Sequence, residues 1–373
     1  MKIKNIEAIK ILDSRGEETV KIKIESSQGT ASACVPQGKS TGSHEVKITS
    51  PEKAQEIIDK EIMSKIKDKE INTQEEIDKA LLEIDHTKDK SMLGGNITLG
   101  ISIAFSRIAS RSQDKDLHKY LAELINETSE TEINLLMNFI NGGVHSPSGP
   151  SIQEYLLIIP FNQGQGLKKG VDLYKKLGQK LKTGTGDEGG YILKESSSEK
   201  PLEILKELLE ENKETNIRLG IDAAASKIQE EINMEDLIKK YNLLYIEDPL
   251  PEDDWDGFIN LKKQLNENNL IIGDDLTVTN PERIEKAGKE KIIDGVIIKP
   301  NQIGTIWETI QAIKKANQYN LKTIISHRSG ETCDTFIADL AVAANAWGFK
   351  SGAPRGSERN GKYSRLLYLK NKK

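Results

Sequence analysis

The sequence predicts an α/β protein: an N-terminal α+β cap, residues 1–125, then a C-terminal (β/α)8-type, TIM-like barrel with atypical first strands, residues 133–373. Three observations carry that expectation. The first 35 residues alternate apolar and polar positions as strands do. After residue 133 short apolar runs alternate with amphipathic helical stretches, roughly every 25 to 30 residues, the rhythm of a parallel βα array. Six successive runs in that half are followed by an ionisable residue. At 373 residues the chain has room for a cap and a barrel, at about 150 residues per domain.

In chain order, Val20, Ile22 and Ile24 alternate with Lys21 and Lys23, Ser27-Gln28-Gly29 supplies a turn, and Ala31, Ala33 and Val35 resume the alternation. A Gly-rich loop, Pro36 to Gly42, follows. Its Gly38-Lys39-Ser40 looks like the end of a phosphate loop, but Ala33 stands where that motif needs a glycine. Glu56 to Lys69 mixes acids and bases as a solvated helix surface does. Thr73 with Glu76 forms a capping box ahead of Ile77, Leu81 and Ile84. Leu99 to Ile108 is much more apolar, with small residues, and reads as a buried helix, and the polar stretch Asn126 to Glu132 reads as a linker. The region before Asp222 reads strand, strand, helix, helix. Beyond it the expected strands are Ile217–Ile221, Leu243–Ile246, Leu270–Gly273, Gly295–Ile298, Thr323–Ile325 and a weaker one at Trp347–Phe349.

Composition narrows the function. A net charge of -5, with lysines interleaved among acids, argues against a nucleic-acid-coating protein. No apolar run approaches the roughly 18 residues of a membrane span. Met1 to Lys10 has no signal-peptide core, and two cysteines, Cys34 and Cys333, suit inert thiols in a reducing compartment. A cytoplasmic protein is expected.

The residues that end the strands are Asp222, Glu247, Asp274, Lys299, His327-Arg328 and Lys350. In a barrel these ends converge on one face, where active sites sit. Three neighbouring carboxylates, Asp222, Glu247 and Asp274, would repel one another unless they held a hard divalent cation such as Mg2+. Asp248 and Asp275 beside them are expected to support the following helices. A lysine near a metal and other cations can have its pKa lowered enough to serve as a base. Arg328 with Ser329 suits a phosphate or carboxylate. Upstream, Asn141-Gly142-Gly143 with His145, Gln153-Glu154, and Asp187-Glu188 between glycines place further polar groups on loops. His44, His86 and His118 lack such company.

These motifs, with Ile11 to Gly16, Gly38 to Gly42, Ile246-Glu247-Asp248-Pro249, Asp274 to Pro281, Asn301 to Gly304 and above all Ser326 to Thr332, resemble enolase, phosphopyruvate hydratase, over nearly the whole chain. The resemblance implies reversible dehydration of 2-phosphoglycerate to phosphoenolpyruvate through an enediolate, in glycolysis and gluconeogenesis. Lys299 would then be the base and Glu188 the acid, with Glu154 supporting. Asp222, Glu247 and Asp274 would hold one Mg2+, and Ser40 would contribute to a second. His145, Glu154, Glu247, Asp274, Ser326, His327, Arg328, Ser329 and Lys350 would surround the substrate, Arg328 and Ser329 at its phosphate. A homodimer or higher homo-oligomer is expected. Lys299 is expected neutral and Glu188 protonated. Lys39, Pro300 and Lys227 depart from the family pattern, and the chain is shorter between Glu154 and Glu188 and between Asp222 and Glu247. Lys39 is expected to weaken the second ion's binding. Those departures leave a second reading, an enolase-like enzyme acting slowly or on a related phosphorylated hydroxy acid, and a third, a non-catalytic surface-binding scaffold.

Overall fold

The computed structural model of the protein describes residues 1–39, 41–126, 131–228 and 232–372. Alternation near the N-terminus gives three antiparallel strands in sequence order, β1 (Ile3–Leu12), β2 (Glu18–Ser26) and β3 (Gly29–Cys34). Val20, Ile22, Ile24, Ala31 and Ala33 share one buried face. Helix Gly95–Ser112 packs on it and is buried at every residue from Gly95 to Ser106. The packing is close enough that a Cβ on Gly100 would lie 2.3 Å from Ile22. Its other side meets the barrel, where Thr98 donates to the Gly304 carbonyl at 2.7 Å. That two-sided contact is why the helix is apolar all round.

Residues Pro51 to Ile66 form a helix with a π segment at Ile58–Met63. Its buried residues Ala54, Ile58, Ile62 and Ile66 recur every four positions, more than the 3.6 of an α-helix, and the wider turn takes up the drift. The expected solvated surface is therefore only one face of it. Thr73 caps helix Gln74–Ile84 by accepting from the Glu76 amide at 3.1 Å. Glu76 reaches back to the Asn72 amide, one residue beyond the usual box. Of the expected linker, residues 127–130 lie outside the described residues.

The second half is a closed eight-strand barrel. Its strands are β4 (Asn134–Asn141), β5 (Glu154–Pro160), β7 (Arg218–Asp222), β8 (Tyr245–Glu247), β9 (Leu270–Gly273), β10 (Gly295–Ile298), β11 (Lys322–Ser326) and β12 (Gly348–Lys350), with β12 pairing back onto β4. A short β6 (Tyr191–Ile192) adds to the end of β4. β5 runs antiparallel to both neighbours, and helices Gln165–Leu181 and Lys200–Glu211 follow it before the strict βα order begins. The first strands are thus atypical as read.

Side chains two apart on a strand share a face, and here the inward face changes character within those two residues. Leu136, Leu156, Ile158, Tyr245, Leu270, Ile272, Ile297 and Ile324 form an apolar plug inside the barrel. Two residues toward the mouth stand Asn138, Glu154, Glu247, Asp274, Lys299 and Ser326. Gly220 and Gly348 make room in the plug below Asp222 and Lys350: a Cβ would lie 2.9 Å from Tyr245 at the first and 2.7 Å from Leu136 at the second. Cys34 is half-buried and Cys333 exposed, both as free thiols. Among the described residues no helix is long and apolar enough to cross a membrane.

Candidate active site

The strand ends and three loops form a pocket lined by His145, Gln153, Glu154, Glu188, Asp222, Asp274, Lys299, Ser326, His327, Arg328, Ser329 and Lys350, among others. Glu247 lies just behind the lining, fully buried. All the expected site residues except Ser40, which lies outside the described residues, are therefore brought together. His44 and His86 are exposed and His118 half-buried, all outside the pocket lining.

Charges in the pocket are compensated by one another. The Lys350 ammonium, 1% exposed, donates to Asp222 and Glu247 at 2.8 Å each and approaches Glu154 at 3.1 Å. Lys299 donates to Asp274, whose other oxygen accepts from Gln302 at 2.9 Å. The three strand-end acids are thus bridged by lysines. The Arg328 fork is committed to Glu45, at 2.8 and 3.0 Å, and to Asn301 at 3.0 Å. His145 Nδ1 stands 3.4 Å from Glu188, whose second oxygen accepts from Asn138 at 3.2 Å.

These contacts set the protonation. Burial works to lower the Lys299 pKa, but the Asp274 carboxylate outweighs it and holds the ammonium above its usual range. Burial alone would raise Glu188, yet His145 first, with Arg359, holds it well below the usual carboxyl range. The expected neutral lysine and protonated glutamate are therefore reversed in this arrangement, because each has an opposite charge in contact. Burial, then the neighbouring Glu188, pushes Glu154 well up; burial and Asp222 do the same to Glu247. Burial and Asp274 raise Asp275 to about 7.

Crowded oxygen donors fit a hard divalent cation. Glu247 Oε1 is buried without a hydrogen-bond partner, as is Glu154 Oε2. Asp248, Asp274 and Asp275 each bring an oxygen within 4.8 Å of the others. Asp248 does support its neighbours, accepting from the Asp274 and Asp275 amides at 3.0 and 2.6 Å rather than capping a helix.

Several departures now have places. Lys39 bonds Asp187 across the mouth at 2.9 Å, and its amide donates to Ser329 Oγ at 2.7 Å. Pro300 opens the short helix Pro300–Ile303, leaving Lys299 extended at φ -123. Sequence reading missed Glu45, Tyr245, which donates to Glu247, and Arg359, which contacts His327. Their partners lie far off in sequence or, like Tyr245, on an apolar-looking strand, so no local pattern marks them.

Two family descriptions match the chain: "Enolase, N-terminal domain" over residues 3–121, and "Enolase, C-terminal TIM barrel domain" over residues 133–235 and 229–372. The enolase of Elusimicrobium minutum is 36% identical over 404 aligned positions, covering 99% of this chain and 95% of its own length. The enolase of Methanopyrus kandleri is 36% identical over 412 positions, with the same coverage. Both alignments exceed 373 positions, so this chain carries deletions relative to each.

Proposed function

The chain belongs to the enolase family, and from that premise we propose that it is the lyase that reversibly removes water from 2-phosphoglycerate to give phosphoenolpyruvate. The observation that carries this reading is one buried pocket lined by a lysine, Lys299, and a carboxyl, Glu188, together with Asp274, Arg328 and Lys350. Lys299 takes the proton beside the substrate carboxylate, and Glu188 gives one to the departing hydroxyl, with Glu154 supporting it.

Both groups must reverse their resting protonation. When the charge of Asp274 is engaged elsewhere, burial, Arg328 and Lys350 all act to lower the Lys299 pKa toward the free amine. An anionic substrate beside Glu188 acts on that carboxyl in the other direction, favouring its proton. Asp222, Glu247 and Asp274 would hold the divalent cation, which we assign as Mg2+, with a second toward Ser40. The chemistry such ions supply is to offset the negative charge that builds on the substrate carboxylate. Arg328 and Ser329 bind the phosphate end, and Ser326, His327, His145 and Lys350 contact the substrate.

Residues 1–125 act in this reading as a cap whose 36–42 loop covers the mouth of the barrel formed by 133–373; the pairing of Gln37 with Gly330 supports it. A homodimer or higher homo-oligomer, working in the cytoplasm, completes the proposal. The test is phosphoenolpyruvate absorbance from 2-phosphoglycerate, with Mg2+ and then with chelator, for the parent and Lys299→Ala. Metal-dependent turnover lost in the variant is expected. Folded protein that binds Mg2+ without turnover would overturn the reading in favour of a related phosphorylated hydroxy acid.

A further inference from the structure

Helix Ser357–Asn371 buries an arginine, Arg359, that is 1% exposed. One guanidinium nitrogen donates to His327 Nδ1 and to the Arg328 carbonyl at 3.2 Å. The other donates to the carbonyls of Asp187 at 3.1 Å and Ser329 at 2.9 Å. Gly352 lets the stem pass: a Cβ there would lie 2.6 Å from Arg359 Cδ. One side chain thus ties the loop carrying Glu188 to the loop carrying Ser329.

An arginine donates and cannot accept, so the His327 Nδ1 it meets must be bare. The ring proton then sits on Nε2, which faces Glu188 Oε1 at 3.9 Å. We propose that Arg359 is a positioning residue of this site: it fixes His327 as an Nε2–H donor and, through the Asp187 and Ser329 carbonyls, sets the reach of Glu188 and of the Ser329 hydroxyl. Burial first, then the cations Arg359, Lys350 and Lys299, outweigh Glu188 and keep the ring neutral. The catalytic consequence rests on the dehydratase reading above, whereas the tautomer does not. Misplacing an acid by about 1 Å can cost about a hundredfold in rate, which is the scale of effect a loosened loop would have.

Long-range proton–nitrogen NMR of histidine-labelled full chain, with His327→Gln for assignment, tests this between pH 5 and 9. In the parent the His327 ring should be the Nε2–H tautomer and should not titrate. Arg359→Lys should keep the donor to Nδ1 but lose the shared grip on the loops, lowering kcat about tenfold with KM little changed. Arg359→Met should release the tautomer, let the ring titrate, and move the acid limb of the kcat/KM profile. A parent ring that titrates or carries its proton on Nδ1 overturns the proposal even if Arg359→Met does not fold. So does a folded Arg359→Met that melts lower while tautomer and pH profile stay unchanged. A parent with the expected tautomer but no turnover of 2-phosphoglycerate leaves Arg359 as assigned and removes the enolase reading instead.

Discussion

The plug of the barrel and its mouth are built from the same strands two residues apart, yet they answer to opposite rules. In the plug, Ile272, Ile297 and Ile324 fill space and need nothing from each other but contact. At the mouth, Glu247 and Lys350 are equally hidden from water but are held in place by opposite charges. A plug residue is replaceable by anything of its shape, whereas a mouth residue cannot be removed without leaving a partner charge uncompensated. The lesson is that burial alone does not separate core from site; what lies one pleat further along the strand does.

The sharpest way to break that contrast is Lys350→Met, a near-isosteric change that would be mild in the plug. At the mouth it strips Asp222, Glu154 and Glu247 of their shared cation and should destabilise the fold by about 3–5 kcal/mol in denaturant titration. A loss under about 1 kcal/mol would mean the mouth packs like the plug. Gly348→Ala probes the other side. Its Cβ would press on Leu136 at 2.7 Å, and overpacking of this kind costs about 1–3 kcal/mol, with KM unchanged.

A buried carboxyl far from the mouth sharpens the comparison further. Asp78 accepts from Gln74, Ser102 and the Trp307 amide, but burial raises it to about 7. Its folded state binds the proton more tightly than the unfolded chain. The associated stability is therefore complete below the ordinary carboxyl range and is lost as pH rises through about 7. Asp78→Asn should flatten that decline by about 2 kcal/mol between pH 5 and 7, read from urea melts. The smallest effect belongs to Lys39→Ala. Its bond to Asp187 is half-exposed, so stability should change by less than about 1 kcal/mol. Calorimetric Mg2+ titration should show tighter binding of the second ion once that charge is gone.

Much of this was legible in the sequence. Leu270–Gly273 and Gly295–Ile298 are strands at the residues read, because a short apolar run bounded by turn residues has few other ways to fold. The ionisable residue after each run marked the mouth for the same reason. What could not be read depends on distance. Arg328 and Glu45 meet across 283 positions, and Arg359 reaches His327 from a helix whose own pattern is unremarkable. Nor does a run of residues reveal that β5 points the other way, so that Glu154 reaches the mouth from the beginning of its strand. The resting charges of Lys299 and Glu188 follow from the side chains each one meets, Asp274 and His145, which lie far off in sequence.

The division of work between Lys299 and Glu188 is tested most directly by following exchange of the substrate's carbon-bound proton in D2O alongside dehydration. The parent should do both, Lys299→Ala neither, and Glu188→Gln should still exchange the proton while failing to release water. Proton exchange that survives in Lys299→Ala would contradict the assignment of the base.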